Sequence, residues 1–220
     1  SSGAFGVGKF APYNFTSVRT VLYSTKTIND EYAFQGKAIL TTFKEDGKNK
    51  QNIGLFADKD SENFDAVFDV NDIAPVFRRT EPGTDIFVLG FVKEDEDTWV
   101  EQSAISVIEY FFYSIYRGKL EVEIRDGEKI VEITQSNLGE MIALYDKYCK
   151  EHMADDTAFK FTAPSHWRLL QDSRHKIIKA PFEYNGKSMG NYELYLLTGD
   201  DIAEKKVLEM RQAGMKIRED

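Results

Sequence analysis

Ser2-Gly3-Ala4-Phe5-Gly6-Val7-Gly8-Lys9 stands at the head of the chain, and its reading decides between a parallel and an antiparallel fold. Glycines at this spacing let the backbone approach a ligand closely with its N–H groups exposed, and a helix starting just after them adds a positive dipole end. A run of phosphates is the ligand such a turn suits best. A tight turn that holds nothing is the plain alternative.

Gly3 to Lys9 spells GxxxxGK, the spacing of a phosphate-binding P-loop, yet Phe10 follows where Mg²⁺ binding requires Ser or Thr. No apolar strand precedes the turn, and a P-loop belongs to a parallel sheet built from crossovers. The following residues predict consecutive antiparallel strands instead. A short helix over 10–15 tolerates Pro12 in its first turn. Residues 18–25 and 32–43 are rich in β-branched and aromatic residues, and a hairpin around Asp46-Gly47 leads into 52–57, giving a meander. Residues 58–81 are polar with poor periodicity, and Arg78 and Arg79 read as solvated or salt-bridged rather than as anion contacts. The strand at 84–92 is the most apolar and is expected in the middle of the sheet.

Residues 99–117 form the clearest helix, with Val100, Ala104, Val107, Ile108, Phe111 and Ile115 at helical spacing and Gly118 as C-cap. A hairpin turns at Asp126-Gly127 between strands at 120–124 and 129–133. Ser136 is positioned to cap a helix running to about 152. Residues 153–157 read as a linker, and Pro164 as the start of an extended region. Strands at 176–182 and 192–197 follow, joined by Asn185-Gly186, and then an amphipathic helix over 201–213 capped by Gly214. The expected class is α+β: a two-layer sandwich of a mostly antiparallel sheet with helices on one face, followed by a smaller α/β segment. The expected division is 1–152 and 153–220.

The chain has 220 residues, 42% hydrophobic and 13% aromatic, enough for a packed core. Its net charge of −9 argues against a broad nucleic-acid or anionic-membrane surface, so nucleic acid is not indicated as a partner. One cysteine, Cys149, excludes an internal disulfide and fits a reducing compartment, read as cytoplasmic. The most apolar helix is interrupted by Glu109 and does not read as membrane-spanning. His152, His166 and His175 match no metal-ligand spacing and read as surface or capping residues.

Gly6-Val7-Gly8-Lys9 before a short helix and strands, followed by Pro82-Gly83-Thr84-Asp85-Ile86-Phe87 opening another strand, resembles the second half of the GHKL ATPase fold. That superfamily comprises gyrase B, the ninety-kilodalton heat-shock chaperone, histidine kinases and MutL. The resemblance covers about the first 125 residues. It implies an ATP-binding, ATP-hydrolysing conformational switch. A lid turn of Phe5, Gly6, Val7, Gly8 and Lys9 would cover the phosphates, and Gly83 and Thr84 would line the nucleotide pocket. It further implies a transducer-like domain beginning near 153, with Arg211 and Lys216 as candidates for a γ-phosphate contact; ordinary surface charge is their alternative. ATP with Mg²⁺ is the implied cofactor, and a homodimer of the full-length protein the implied assembly.

The family's general-base Glu, its Mg²⁺-binding Asn and its Asp-x-Gly-x-Gly segment do not occur here. Asp46-Gly47-Lys48-Asn49 and Asp126-Gly127-Glu128-Lys129 lack the second glycine and read as hairpin turns. The metal ligand is therefore expected upstream, and this fragment alone is expected not to hydrolyse ATP. The other readings are a non-catalytic protein-interaction module of the same fold and a degenerate P-loop NTPase.

Overall fold

The computed structural model describes residues 10–93, 97–153, 160–199, 209–212 and 214–219. The chain divides into two compact units, Gly3–Glu94 and Asp95–Asp220. The α+β class with antiparallel sheets is the one the sequence predicts.

In the first unit, α1 (Ala11–Asn14) precedes β1 (Thr20–Lys26) and β2 (Tyr32–Ile39). A small hairpin of β3 (Phe43–Glu45) and β4 (Lys48–Lys50) then leads to β5 (Ile53–Phe56), and β6 (Gly83–Val88) comes last. The small hairpin turns at Asp46 and Gly47, both at positive φ, as a two-residue β-turn requires. The main sheet runs β5-β2-β1-β6, with every pair antiparallel. The predicted meander is thus present. The position of β6 differs from expectation: among the described residues it pairs with β1 alone and forms an edge. Its apolar run reads as a central strand because both of its faces carry large side chains. Phe87 packs into a small core, while Ile86 on the opposite face is 53% exposed.

Pleat alternation gives this sheet two unlike faces. One carries Leu22, Phe34 and Phe87, closed over by Val67, Ile73 and Phe77 from the segment that lacks periodicity in the sequence. Backbone bonds between Phe34 and Val67, at 2.9 and 2.8 Å, fix that segment, and Phe77 stacks on Phe34 at 5.5 Å. The other face carries Val21, Tyr23, Thr25, Gln35, Lys37, Thr84 and Ile86, by the register of β1 with β2 and β6. Tyr13 of α1 is buried.

The second unit begins with α2 (Trp99–Tyr116), followed by the hairpin β7 (Val122–Asp126) and β8 (Lys129–Ile133) and by α3 (Leu138–His152). After these come α4 (Ala163–Gln171), the hairpin β9 (Lys176–Tyr184) and β10 (Lys187–Leu196), and the hairpin β11 (Glu209–Gln212) and β12 (Met215–Glu219). The core joins Val100, Ala104, Ile105, Ile108, Phe112 and Ile115 of α2 to Ile124, Ile133, Leu138, Ile142, Tyr145, Ala163 and Leu170. Ile105 and Phe112 take central places where the periodicity favours Val107 and Phe111, which are only partly covered. Residue 153 lies inside this unit, and the core continues past it through α4. No helix among the described residues is long and apolar enough to cross a membrane.

Three local expectations are corrected here. Ser136 does not cap α3; its hydroxyl bonds Thr134 at 2.9 Å. The helix starts after Asn137, whose Oδ1 accepts from the Thr134 N–H at 2.8 Å. Pro164 does not open an extended region but sits in the first turn of α4, where a missing N–H costs nothing. Residues 209–212 are a strand rather than the end of a helix, and Gly214, at φ +85°, turns the chain into β12. The expected helical residues 201–208 lie outside the described residues.

Candidate functional site

Gly83 opens β6 at φ +145°, and a Cβ there would sit 2.7 Å from Nη2 of Arg79. The glycine is required by its own backbone. Arg79 is fixed by an ion pair with Asp85 and by donating Nε–H to the Glu81 carbonyl at 3.0 Å. From β1, Lys26 Nζ donates to the Thr80 carbonyl at 2.8 Å and pairs with Asp30 at 2.9 Å. Arg78 donates Nε–H to the Ile73 carbonyl at 2.6 Å. Both arginines are thus engaged within the protein, and together with Lys26 they brace the loop that delivers Thr84.

Thr84 lies opposite Thr25 in the ladder, and the two hydroxyls are 3.0 Å apart. They share a sheet face with Tyr23, Gln35 and Lys37, three side chains that line a cavity of about 160 Å³ together with Phe10, Tyr13, Gly36 and Leu55. Burial, followed by the influence of neighbouring Tyr23, pushes the Tyr13 phenol up to about 12, so it is a neutral hydrogen-bonding group at ordinary pH. Phe10 is the first described residue after the glycine turn. Two residues beyond Gly8 the chain therefore lies on the face that carries Thr84. Phe5, Gly6, Val7, Gly8 and Lys9 themselves lie outside the described residues.

Arg211 and Lys216 occupy neither a helix nor an open surface. On the hairpin β11–β12 the polarity is inverted: Glu209, Arg211 and Lys216 face inward, and Met210 and Met215 face out. Lys216 Nζ pairs with Glu109 and, at 3.2 Å, with Glu209; it also donates to Thr162 Oγ1 at 3.0 Å. Arg211 pairs with Glu209 and donates to the backbone carbonyls of Glu109 at 3.0 Å and Tyr110 at 2.9 Å. Its guanidinium lies 4.3 Å from the Phe112 ring centre. Burial pushes this guanidinium's pKa down, opposed by Glu209 and Glu109.

Glu109 is the centre of this cluster and is 2% exposed. Its carboxylate accepts from the backbone N–H of Thr162 at 2.8 Å and of Ala163 at 3.0 Å, and from the Thr162 hydroxyl at 2.6 Å. It thereby caps the N-terminus of α4, where Thr162 makes no side-chain cap of its own. His166, read from sequence as a surface residue, faces Glu209 at 3.3 Å and is largely buried. The only sequence signal for the cluster is the carboxylate that breaks the apolar run of α2. Burial, followed by Asp146 and Glu109, pushes the Cys149 thiol up, which disfavours a thiolate nucleophile.

No family model, curated protein or solved structure matches this chain.

Proposed function

We propose that this chain is the lid-to-transducer part of an ATP-binding conformational switch of GHKL type. Backbone amides of Gly6 to Lys9 wrap the triphosphate, and Thr84 lines the pocket from β6. The observation that supports the reading is that Phe10, next after the glycine-rich stretch, borders a cavity with Tyr23 and Gln35, and the strand register puts Thr84 on that same sheet face, outside the cavity's lining. Antiparallel pairing throughout the described strands weighs against the P-loop alternative, which needs parallel crossovers. Paired, solvent-facing hydroxyls beside a braced loop suit a polar ligand. Bound ATP with Mg²⁺ would supply the phosphoryl chemistry. Ordering of the lid around the triphosphate, and its release after hydrolysis, would make the output a change of conformation.

Arg211 and Lys216 are not part of the proposed site, because Glu109, Glu209 and the carbonyls of α2 already engage them.

Isothermal titration of ATP with Mg²⁺ into the full-length gene product tests this. Saturable heat is expected, and Thr84→Val should weaken binding about tenfold, the scale of one lost hydrogen bond to a polar ligand. A wild-type protein that gives no heat fits the non-catalytic interaction module instead.

A further inference from the structure

The hairpin β9–β10 turns its apolar side outward. Its register divides the side chains between two faces. One face carries Lys179, Glu183, Glu193 and Tyr195, and two of these tie it to α2: the Tyr195 and Tyr113 hydroxyls meet at 2.8 Å, and Glu193 pairs with Arg117 at 3.6 Å as well as with Lys179 at 2.7 Å. The other face carries Ile178, Phe182, Tyr184, Tyr192, Leu194 and Leu196, and on it Phe182 is 50% and Tyr184 64% exposed. Lysines close both ends of this apolar face, Lys176 opposite Leu196 at the base and Lys187 opposite Tyr184 at the tip. Among the described residues neither ammonium has an ion-pair partner, and the two acidic residues of the hairpin, Glu183 and Glu193, lie on the opposite face.

We propose that this outer face docks an amphipathic α-helix of a partner protein, with its apolar stripe along the ribbon and a carboxylate at each end answering Lys176 and Lys187. Two strands about 4.8 Å apart make a face about 10 Å wide, the diameter of one helix. Lys187 lies level with Tyr184, eight residues along β9 from Lys176. The two lysines therefore stand about 26 Å apart, a distance a helix covers in about five turns, so the matching carboxylates belong about 18 residues apart on the partner. A second copy of this chain is the poorer occupant. Packed face to face about a two-fold axis along the strands or across them, two hairpins gather two lysines at each end and bring no carboxylate to meet them. An apolar, aromatic centre with charge confined to the rim is the layout of a protein interface, and one of this small area belongs to the transient class. The surface lies on the second unit and is independent of the nucleotide reading.

Fluorescence anisotropy of a labelled peptide titrated with the full-length protein tests the surface. The probe is a helical peptide of about 22 residues with leucines at i, i+3, i+4 and i+7 spacing and one glutamate at each end of that stripe; in a second peptide both glutamates are lysines. The glutamate peptide is expected to bind in the micromolar range, and the lysine peptide about tenfold more weakly. Phe182→Ser with Tyr192→Ser should weaken the glutamate peptide about tenfold and leave thermal melting little changed, because both side chains are exposed. Lys176→Glu with Lys187→Glu should reverse the preference between the two peptides. Equal affinity for both peptides, no binding of either, or binding that survives Phe182→Ser with Tyr192→Ser overturns the inference. So does a concentration-dependent dimer in sedimentation, or attachment to vesicles containing phosphatidylglycerol, that those two serines abolish, since the face would then belong to a second copy or to a lipid surface.

Discussion

Glu109→Ala is expected to destabilise the second unit by about 3–5 kcal/mol, the cost of breaking a buried ion pair by removing one partner. The alanine would leave Lys216 facing Glu209 alone and deprive the backbone N–H groups of Thr162 and Ala163 of their acceptor. Each buried donor left unmatched costs about 1–3 kcal/mol, so the two effects point the same way. Glu109→Gln should recover only part of the loss, because its amide N–H₂ would face other donors. Removing both charges, with Glu109→Leu and Lys216→Met together, should cost much less than Glu109→Ala, since apolar replacement of a whole buried pair is often close to neutral. Urea denaturation monitored by far-ultraviolet circular dichroism checks the series. A loss below about 1 kcal/mol for Glu109→Ala would mean that β11–β12 is not held against α2 as described.

Ile108→Ala is the second large effect, at about 2–5 kcal/mol. Ile108 is fully buried at the middle of α2, within a core that also draws on β7, β8, α3 and α4. Losing its branched side chain removes apolar burial and leaves a cavity that surrounding Ile105, Phe112 and Ile142 can close only in part. The helix itself gains from alanine's higher propensity by a few tenths of a kcal/mol, too little to offset the cavity. Denaturant unfolding should give a lower midpoint with the same slope, and a midpoint unchanged within error would contradict the placement of Ile108.

Elements with ordinary polarity were legible in the sequence. β1 and β2 are rich in β-branched and aromatic residues, α2 and α3 carry apolar stripes, and Asp46-Gly47, Asp126-Gly127 and Asn185-Gly186 mark turns in which Asp46, Gly47, Gly127, Asn185 and Gly186 are left-handed. What escaped the sequence depends on partners distant along the chain. β11 reads as the end of a helix because its inward side chains are charged, and only the carboxylate of Glu109, 107 residues before Lys216, makes that inversion favourable. The start of α4 is hidden for the same reason, since its cap comes from α2. β6 reads as central because it is apolar on both faces; which strands flank it is set by pairing, not composition. Of the candidate site, Gly83-Thr84 stands out as a motif, whereas Thr25 becomes visible only once the β1–β6 register is fixed. Arg211 and Lys216 were plausible anion contacts as isolated cations, and their carboxylate partners change that reading.

In the proposed reading, the glycine-rich stretch closes over the phosphates of a nucleotide held beside Thr84. Hydrogen–deuterium exchange on the full-length gene product, with and without ATP and Mg²⁺, measures this at the amides concerned. Exchange at Gly6, Val7, Gly8 and Lys9 is predicted to slow markedly when the nucleotide is bound, because those N–H groups would be donating to phosphate oxygens. Identical exchange at these four amides under saturating ATP and Mg²⁺ would mean that they do not hold a nucleotide's phosphates.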